Sequence, residues 1–381
     1  MSFNAYNFKG DTSAENFKRF FIYASQNEVS DILIQGGDYI WVEQHGRQYQ
    51  ASTLKIQDGA LPALISTLWG SDVPVKVSSG LDQDRNLEIS GEEYGIERGK
   101  ALRFRTNIVQ AHVARQPTTM STTMRIIPSE LPTFETVHLE DELKRAFYPR
   151  DGLILVCGPT GSGKTTLQAA VYHHAGVYMP NRKVITYEDP IEFVLGGEHW
   201  TGPQPAQSQV GRDVVSFAAG LRNAMRRAPK IVGIGEARDI ETFSAMNAVA
   251  TSGHLCYATL HVMSCGEAIP RIIQAFPSIQ QPSIAAELMS TLRIILVQNL
   301  LRTLDGKRTV IREYIIIDRE LRNTLQSLPF ESWGHHIRNI LEEKGATLID
   351  AAWRLFVDGR IDKEEFIEKA GWPEYLKRTK Q

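Results

Sequence analysis

The sequence predicts an α/β protein in two parts, a small α+β module followed by a domain built on a parallel sheet. Three observations carry this. The stretch Gly158-Pro159-Thr160-Gly161-Ser162-Gly163-Lys164-Thr165-Thr166 fits G-x-x-x-x-G-K-[ST], with an apolar run before it and a helical pattern after it. Between residues 153 and 260, apolar runs alternate with helical segments, the pattern of crossover connections. Upstream, the segment Ile127-Pro128-Ser129-Glu130-Leu131-Pro132-Thr133 carries two prolines that break any helix and separate the two parts.

The elements follow in order. Residues 1–10 are polar, as frayed ends are. Asp11-Thr12-Ser13-Ala14-Glu15 starts a helix with Phe17, Phe20, Phe21 and Ala24 on one face. Short strands are expected at Asp31–Gln35 and Tyr39–Glu43. Gly46 supplies the turn before a returning arm at Gln48–Gln50. Asp58–Trp69 reads as a helix, and Asn86–Ser90 and Lys100–Val109 as strands. Beyond the linker come strand Leu153–Cys157, a helix from Thr165 to Tyr178, strand Lys183–Glu188 and a helix over Val214–Arg227. Strand Ile231–Ile234, helix Ile240–Thr251 and strand Leu255–Leu260 complete the alternation. Ser283–Leu301 is expected to be one long amphipathic helix. Asp305-Gly306 is a turn before the apolar segment Val310–Ile317, and Ser332–Arg378 is helical and charged.

Composition narrows the function classes. Hydrophobic residues make up 42% and charged residues 23%, and the net charge is −2, so no global field draws the chain to nucleic acid or anionic lipid. Arg222, Arg226 and Arg227 form the densest basic patch. The three cysteines, Cys157, Cys256 and Cys265, have no metal-ligand spacing and read as reduced thiols, the first two in buried strands. The N-terminus lacks an apolar leader pattern, and no window approaches the ~18 apolar residues of a membrane span. The expectation is a cytoplasmic protein, held at a membrane only through partners.

The chemistry concentrates in four stretches. In the glycine-rich loop, backbone N–H groups turn inward on a phosphate chain, and the helix N-terminus adds partial positive charge. Lys164 is placed to reach the β- and γ-phosphates and the Thr165 hydroxyl to ligate Mg²⁺. Thr186-Tyr187-Glu188-Asp189-Pro190-Ile191-Glu192-Phe193 brings acids to a strand end, where Pro190 forces a turn. Ile231-Val232-Gly233-Ile234-Gly235-Glu236-Ala237-Arg238-Asp239 is an apolar strand ending in an acid, and Glu236 is placed to orient an attacking water. Gly253-His254-Leu255-Cys256-Tyr257-Ala258-Thr259-Leu260-His261 opens and closes a strand with histidines on opposite faces, which disfavours joint metal ligation. His261, at the C-terminal end, is the candidate sensor of the γ-phosphate.

In this order the four boxes resemble the secretion and pilus-motor ATPases of the PilT/type II–type IV secretion superfamily. Leu102-Arg103-Phe104-Arg105-Thr106-Asn107 resembles that family's R-F-R-x-N strand, and Arg125-Ile126-Ile127-Pro128 its R-x-I-P linker. Asn181–Val184, Leu221–Arg227 and Arg312-Glu313-Tyr314 resemble the DotB/TraJ branch, which serves type IVB (Dot/Icm) secretion and IncI-type conjugation. The resemblance implies a PAS-like N-terminal domain (1–126), a linker (127–135) and a RecA-like ATPase domain with C-terminal helices (136–381). It implies homohexameric rings that use ATP and Mg²⁺, bind nucleotide between the two domains, and dock on cytoplasmic or inner-membrane components of a secretion or conjugation complex. No direct nucleic-acid contact is expected. Residue by residue, it assigns Glu236 as the base with Glu188 next in line, and Lys164 to catalysis. It assigns Gly158 through Thr166, Arg103, Arg105, Arg125 and His261 to nucleotide, and Thr165 and Asp189 to Mg²⁺. Two departures stand out: Lys230 follows Pro229 where an acid is frequent, and Gly233 replaces a bulkier apolar residue. A pilus-retraction motor, a nucleic-acid translocase and a non-hydrolysing scaffold remain alternatives.

Overall fold

The computed structural model describes residues 3–98, 101–114, 116–127 and 130–380. Met1, Ser2, Lys100 at the expected start of a strand, and Pro128 and Ser129 of the expected linker lie outside the described residues. The chain divides into two compact units, Met1–Glu130 and Leu131–Gln381.

The N-terminal unit holds α1 (Ala14–Gln26), β1 (Val29–Gln35), β2 (Tyr39–Gln44), β3 (Arg47–Lys55), α2 (Ala60–Trp69), α3 (Val73–Ser78), β4 (Gln83–Ile89), β5 (Leu102–Val113) and β6 (Gln116–Ile127). Ser13 caps α1 through the Asn16 amide, and Phe17, Phe20, Phe21 and Ala24 are buried as the periodicity predicts. His45 and Gly46, both at positive φ, make the two-residue turn between β2 and β3. The strands form one antiparallel sheet in the order β3-β2-β1-β6-β5-β4. Sequence reading misses β6, which lies in the middle of this sheet. Its buried alternate residues are Met120, Thr122 and Met124, so threonine dilutes the apolar alternation. Arg125 and Ile127 therefore sit in a strand, Ile127 opposite Arg103, and not in a linker.

The C-terminal unit contains α4 (Asp141–Ala146), β7 (Gly152–Cys157), α5 (Lys164–Tyr178), β8 (Val184–Glu188), β9 (Ala206–Gln209), α6 (Phe217–Ala224), β10 (Ile231–Ile234), α7 (Ile240–Thr251) and β11 (Leu255–Leu260). It continues with α8 (Cys265–Ile273), α9 (Gln281–Thr291), β12 (Leu292–Arg302), β13 (Arg308–Ile316), α10 (Arg319–Gln326), α11 (Trp333–Glu343), α12 (Leu348–Val357), α13 (Lys363–Ala370) and α14 (Trp372–Thr379). Its sheet runs β13-β12-β7-β11-β10-β8-β9 and is parallel except for the β12–β13 hairpin. β7, β10 and β11 are buried along their whole length because helices cover both faces. Leu153, Leu155 and Cys157 face one core, and Ile154 and Val156 the other.

The expected helix Ser283–Leu301 is a correction: α9 ends at Thr291 and the chain continues as β12. β12 lies between β7 and β13 with residues on both faces buried, so the two-residue alternation that marks a strand is absent from the sequence.

One buried carboxylate ties the C-terminal helices to this sheet. Glu313 on β13 accepts the Cys265 amide at 2.7 Å and the Leu348 amide at 3.1 Å. These are the first residues of α8 and α12, whose amides have no partner within their own helices. A negative charge at two helix N-termini is also favoured by their dipoles. Glu313→Ala should therefore destabilise the protein by about 2–4 kcal/mol in urea denaturation, since it orphans two buried donors.

Candidate active site

The carboxyl ends of four parallel strands assemble the site. Backbone bonds set them level: Gly158 N donates to Leu260 O at 3.2 Å, Ala237 N to Thr259 O at 2.9 Å, and Gly235 N to Tyr187 O at 2.8 Å. The Thr259 hydroxyl also donates to the Gly235 carbonyl. The loops after β7, β8, β10 and β11 therefore open at one edge, as in other open parallel sheets.

The loop after β7 is shaped by glycine at the positions that need it. Gly158 has φ of 141°, and a Cβ there would lie 2.3 Å from the Gln298 carbonyl and 2.6 Å from Ser162 Oγ. Gly161 and Gly163 also adopt positive φ. Pro159 and Thr160 lie on the outer part of the loop, and Thr165 and Thr166 occupy the first turn of α5, half-buried. Lys164 is buried, and its ammonium donates at 2.8 Å to the carbonyls of Gly158 and Pro159. Burial lowers the Lys164 pKa, against the opposing pull of Cys157, Glu236 and Glu192. A glycine cradle, an ammonium at its mouth and the buried Ser162 hydroxyl without a partner fit a phosphate chain.

Glu236 sits at the end of β10, with Oε1 3.6 Å from His261 Nε2 and Oε2 3.9 Å from Arg238. It is half-buried, open enough for a water beside its carboxylate. The His261 pKa is lowered by burial and by Lys164, against Glu236, so the ring is mainly neutral at neutral pH. The structure thus brings Lys164, Glu236 and His261 together, as sequence spacing suggests.

Glu188 has a different environment. Its Oε1 accepts from Thr186 Oγ1 at 2.5 Å and from Gln207 Nε2 at 2.9 Å. Burial raises its pKa, the two hydrogen bonds oppose this, and Glu192 adds to the rise. Gln207 also holds the loop that follows, donating to Phe193 O at 2.8 Å and accepting from Leu195 N at 2.7 Å. Gln207 lies on β9, a strand of sequence Ala-Gln-Ser-Gln with no hydrophobic signal to reveal it. Asp189 is exposed and lines a groove with Ser216, Arg238 and Asp239 at the starts of α6 and α7. Among the described residues no three Asp, Glu, His or Cys side chains gather as a metal cage. A hydroxyl from Thr165 and carboxylates at the strand ends are the hard oxygen donors that suit Mg²⁺ completed by phosphate and water.

The three arginines of the N-terminal unit share one face of its sheet. Arg105 and Arg125 are direct cross-strand partners, while Arg103 pairs with Glu88 and Arg125 with Asp31, each at 3.0 Å. Arg105 forms no salt bridge among the described residues, and two like charges placed opposite one another favour an added anion. Sequence reading also misses Gln298, whose Nε2 donates to the Ser162 carbonyl at 2.7 Å. It lies on the strand that reads as a helix, which hides its approach to the loop.

A phosphate-binding loop after β7, with an acid after β10 across the intervening β11, defines a P-loop protein of the RecA-like kind. Within that class, this chain belongs to the Type II/IV secretion system protein family, whose model matches residues 15–349. It is 28% identical over 359 residues to the type IV pilus retraction ATPase PilT of Pseudomonas aeruginosa, covering 92% of this chain and 97% of that one. In structure it is similar to the ATPase DotB of Legionella pneumophila, with a TM-score of 0.85 and 29% identity over 96% of this chain and 98% of that one. The pilus retraction motor PilT with bound ADP has a TM-score of 0.76 and 28% identity, covering 96% of this chain and 98% of that chain. These likenesses make the molecule a secretion or pilus-motor ATPase with an N-terminal domain and a RecA-like ATPase domain.

The raised pKa of Glu188 has a defined sign. A carboxyl whose folded pKa exceeds its unfolded value costs stability once pH rises through the folded pKa, and costs nothing below the unfolded one. Glu188→Gln keeps an oxygen for Thr186 and Gln207. It should raise the thermal midpoint at pH 7.5, and this gain should disappear at pH 4 and below, as read by calorimetry.

Proposed function

We propose that this chain is the Mg²⁺-dependent ATPase of a type IVB secretion or conjugative transfer apparatus, working as a homohexamer. The observation that carries the choice of system is the TM-score of 0.85 to the DotB structure against 0.76 to PilT. The DotB/TraJ-like stretches at Asn181–Val184 and Leu221–Arg227 support it. A pilus-retraction motor is the second reading, favoured by the near full-length sequence similarity to PilT.

The chemistry proposed is hydrolysis of the γ-phosphoanhydride bond of ATP. The loop amides from Gly158 to Thr166 hold the phosphates. Lys164 leaves its two carbonyl partners for the phosphate oxygens and offsets their growing charge. Thr165 and Asp189 are the residues that would hold Mg²⁺, which would supply positive charge to offset that of the phosphates. Glu236 orients the attacking water and takes its proton. His261, mainly neutral and 3.6 Å from Glu236, reports on the γ-phosphate. Glu188, whose Oε1 already accepts from Thr186 and Gln207, is better suited to holding its loop than to orienting the water. Arg103, Arg105 and Arg125 are assigned to phosphate charge, on the resemblance and on the unbalanced Arg105–Arg125 pairing.

The nucleotide cycle drives rearrangement of the two domains and so moves a docked component. No helix among the described residues is long and apolar enough to cross a membrane. Attachment to an inner-membrane complex through protein partners is the arrangement proposed.

In a phosphate-release assay with Mg²⁺, Lys164→Ala should abolish turnover. Glu236→Gln should bind ATP within a few-fold of wild type and hydrolyse it about 10²-fold or more slowly. A Glu236→Gln protein at the wild-type rate would remove Glu236 as the base. Deleting the gene separates the two systems: loss of effector or plasmid transfer supports the proposal, and loss of twitching alone supports the pilus reading.

A further inference from the structure

The P-loop is held from behind by a buried polar chain that meets it at the Ser162 carbonyl. Gln298 on β12 is 2% exposed, and its Nε2 donates to the Ser162 carbonyl at 2.7 Å. Its Oε1 accepts from Arg312 Nε at 3.2 Å. Arg312 on β13 is itself buried, and its remaining donors reach Val137 O at 2.6 Å, His138 O at 2.8 Å and Glu140 Oε2 at 3.1 Å. His138 has φ of 47°, a left-handed conformation unusual for a residue with a side chain, and the carbonyls of Val137 and His138 meet one guanidinium.

The chain of bonds has a direction. Four donor contacts on a planar guanidinium fix its position, and that fixes which way the Gln298 amide points. With its oxygen committed to Arg312, Gln298 can only offer N–H to Ser162. Ser162 O belongs to the peptide that precedes Gly163 and Lys164, so the orientation of that peptide, and of the amides that follow, is set from β12. Gly158 packs on the Gln298 backbone from the other end of the loop, where a Cβ would lie 2.3 Å from the carbonyl.

We propose that Gln298 is a positioning residue for the phosphate-binding loop and that Arg312 acts through it. The pair presents the loop amides ready-made to the β-phosphate and ties their geometry to residues 137–140, the stretch through which the chain enters this unit. This rests on the ATPase reading. It adds two residues to the site that touch no nucleotide.

The test is a double-mutant cycle on ADP binding, by calorimetry with the full chain and Mg²⁺. Gln298→Met keeps the volume and removes the donor; the ADP Kd should rise about tenfold, the effect of one lost buried hydrogen bond. Arg312→Lys cannot span the same four contacts and should also weaken ADP. The double variant should be no weaker than Gln298→Met alone, because Arg312 has nothing left to act through. Equal, additive losses would mean two independent structural roles and would overturn the proposal, as would a wild-type Kd in Gln298→Met. If Arg312→Lys does not fold, Gln298→Glu supplies the answer. It keeps an oxygen on Arg312, so hydrogen exchange at residues 160–164 should quicken while the fold is retained; unchanged exchange would contradict the proposal. A wild-type protein that binds ADP and does not turn ATP over would remove the ATPase reading alone, leaving the cycle decisive. A wild type that binds no ADP would overturn both.

Discussion

The site depends on the level alignment of four parallel strand ends. Gly158 is bonded to Leu260, Ala237 to Thr259, and Gly235 to Tyr187. A parallel sheet needs helices on both faces, and that requirement is met by two separate cores, one on each side of β7. Side chains with no sequence proximity, Lys164, Glu188, Glu236 and His261, come to one edge because the backbone ladder allows no slip. A one-residue shift of β10 would turn its side chains to the opposite face of the sheet.

Within that frame the acids are divided by environment. Glu236 stands half-open, with His261 and Arg238 nearby, where charge can be used. Glu188 is also half-buried, its charge penalised by desolvation and eased by Thr186 and Gln207. The two carboxylates look alike in sequence, each an acid after an apolar strand. Their partners separate them: Glu188 Oε1 is held by two hydrogen bonds that fix its loop, while Glu236 has His261 at 3.6 Å and Arg238 at 3.9 Å. The same logic applies to Arg312, a charge tolerated in the interior because its donors are matched one by one.

Much of this was legible in the sequence, and what was not had physical causes. The P-loop, the strand at Ile231–Ile234 and the helix at Ile240–Thr251 read correctly because glycine spacing and unbroken apolar runs are local signals. The amphipathic face of α1 also read correctly, down to its four buried residues. β12 did not, because a strand buried on both faces has lost its alternation. β6 did not, because threonine fills core positions that a hydrophobic count ignores. Those two misreadings hide contacts around the site. Gln298 reads as part of a helix, and Arg125, named as a candidate, is not seen to stand opposite Arg105. Gln207 lay on a strand of polar residues that no periodicity marks.

The molecule is therefore an ATPase-family fold in which four boxes of sequence become a single site through strand register. Hydrogen exchange with and without a non-hydrolysable ATP analogue and Mg²⁺ tests that claim most directly. One site predicts simultaneous protection at the loop 158–166, at 234–238 after β10 and at 259–262 after β11. Protection confined to residues 158–166 would show that the loop binds phosphate without the other boxes, and would contradict the account.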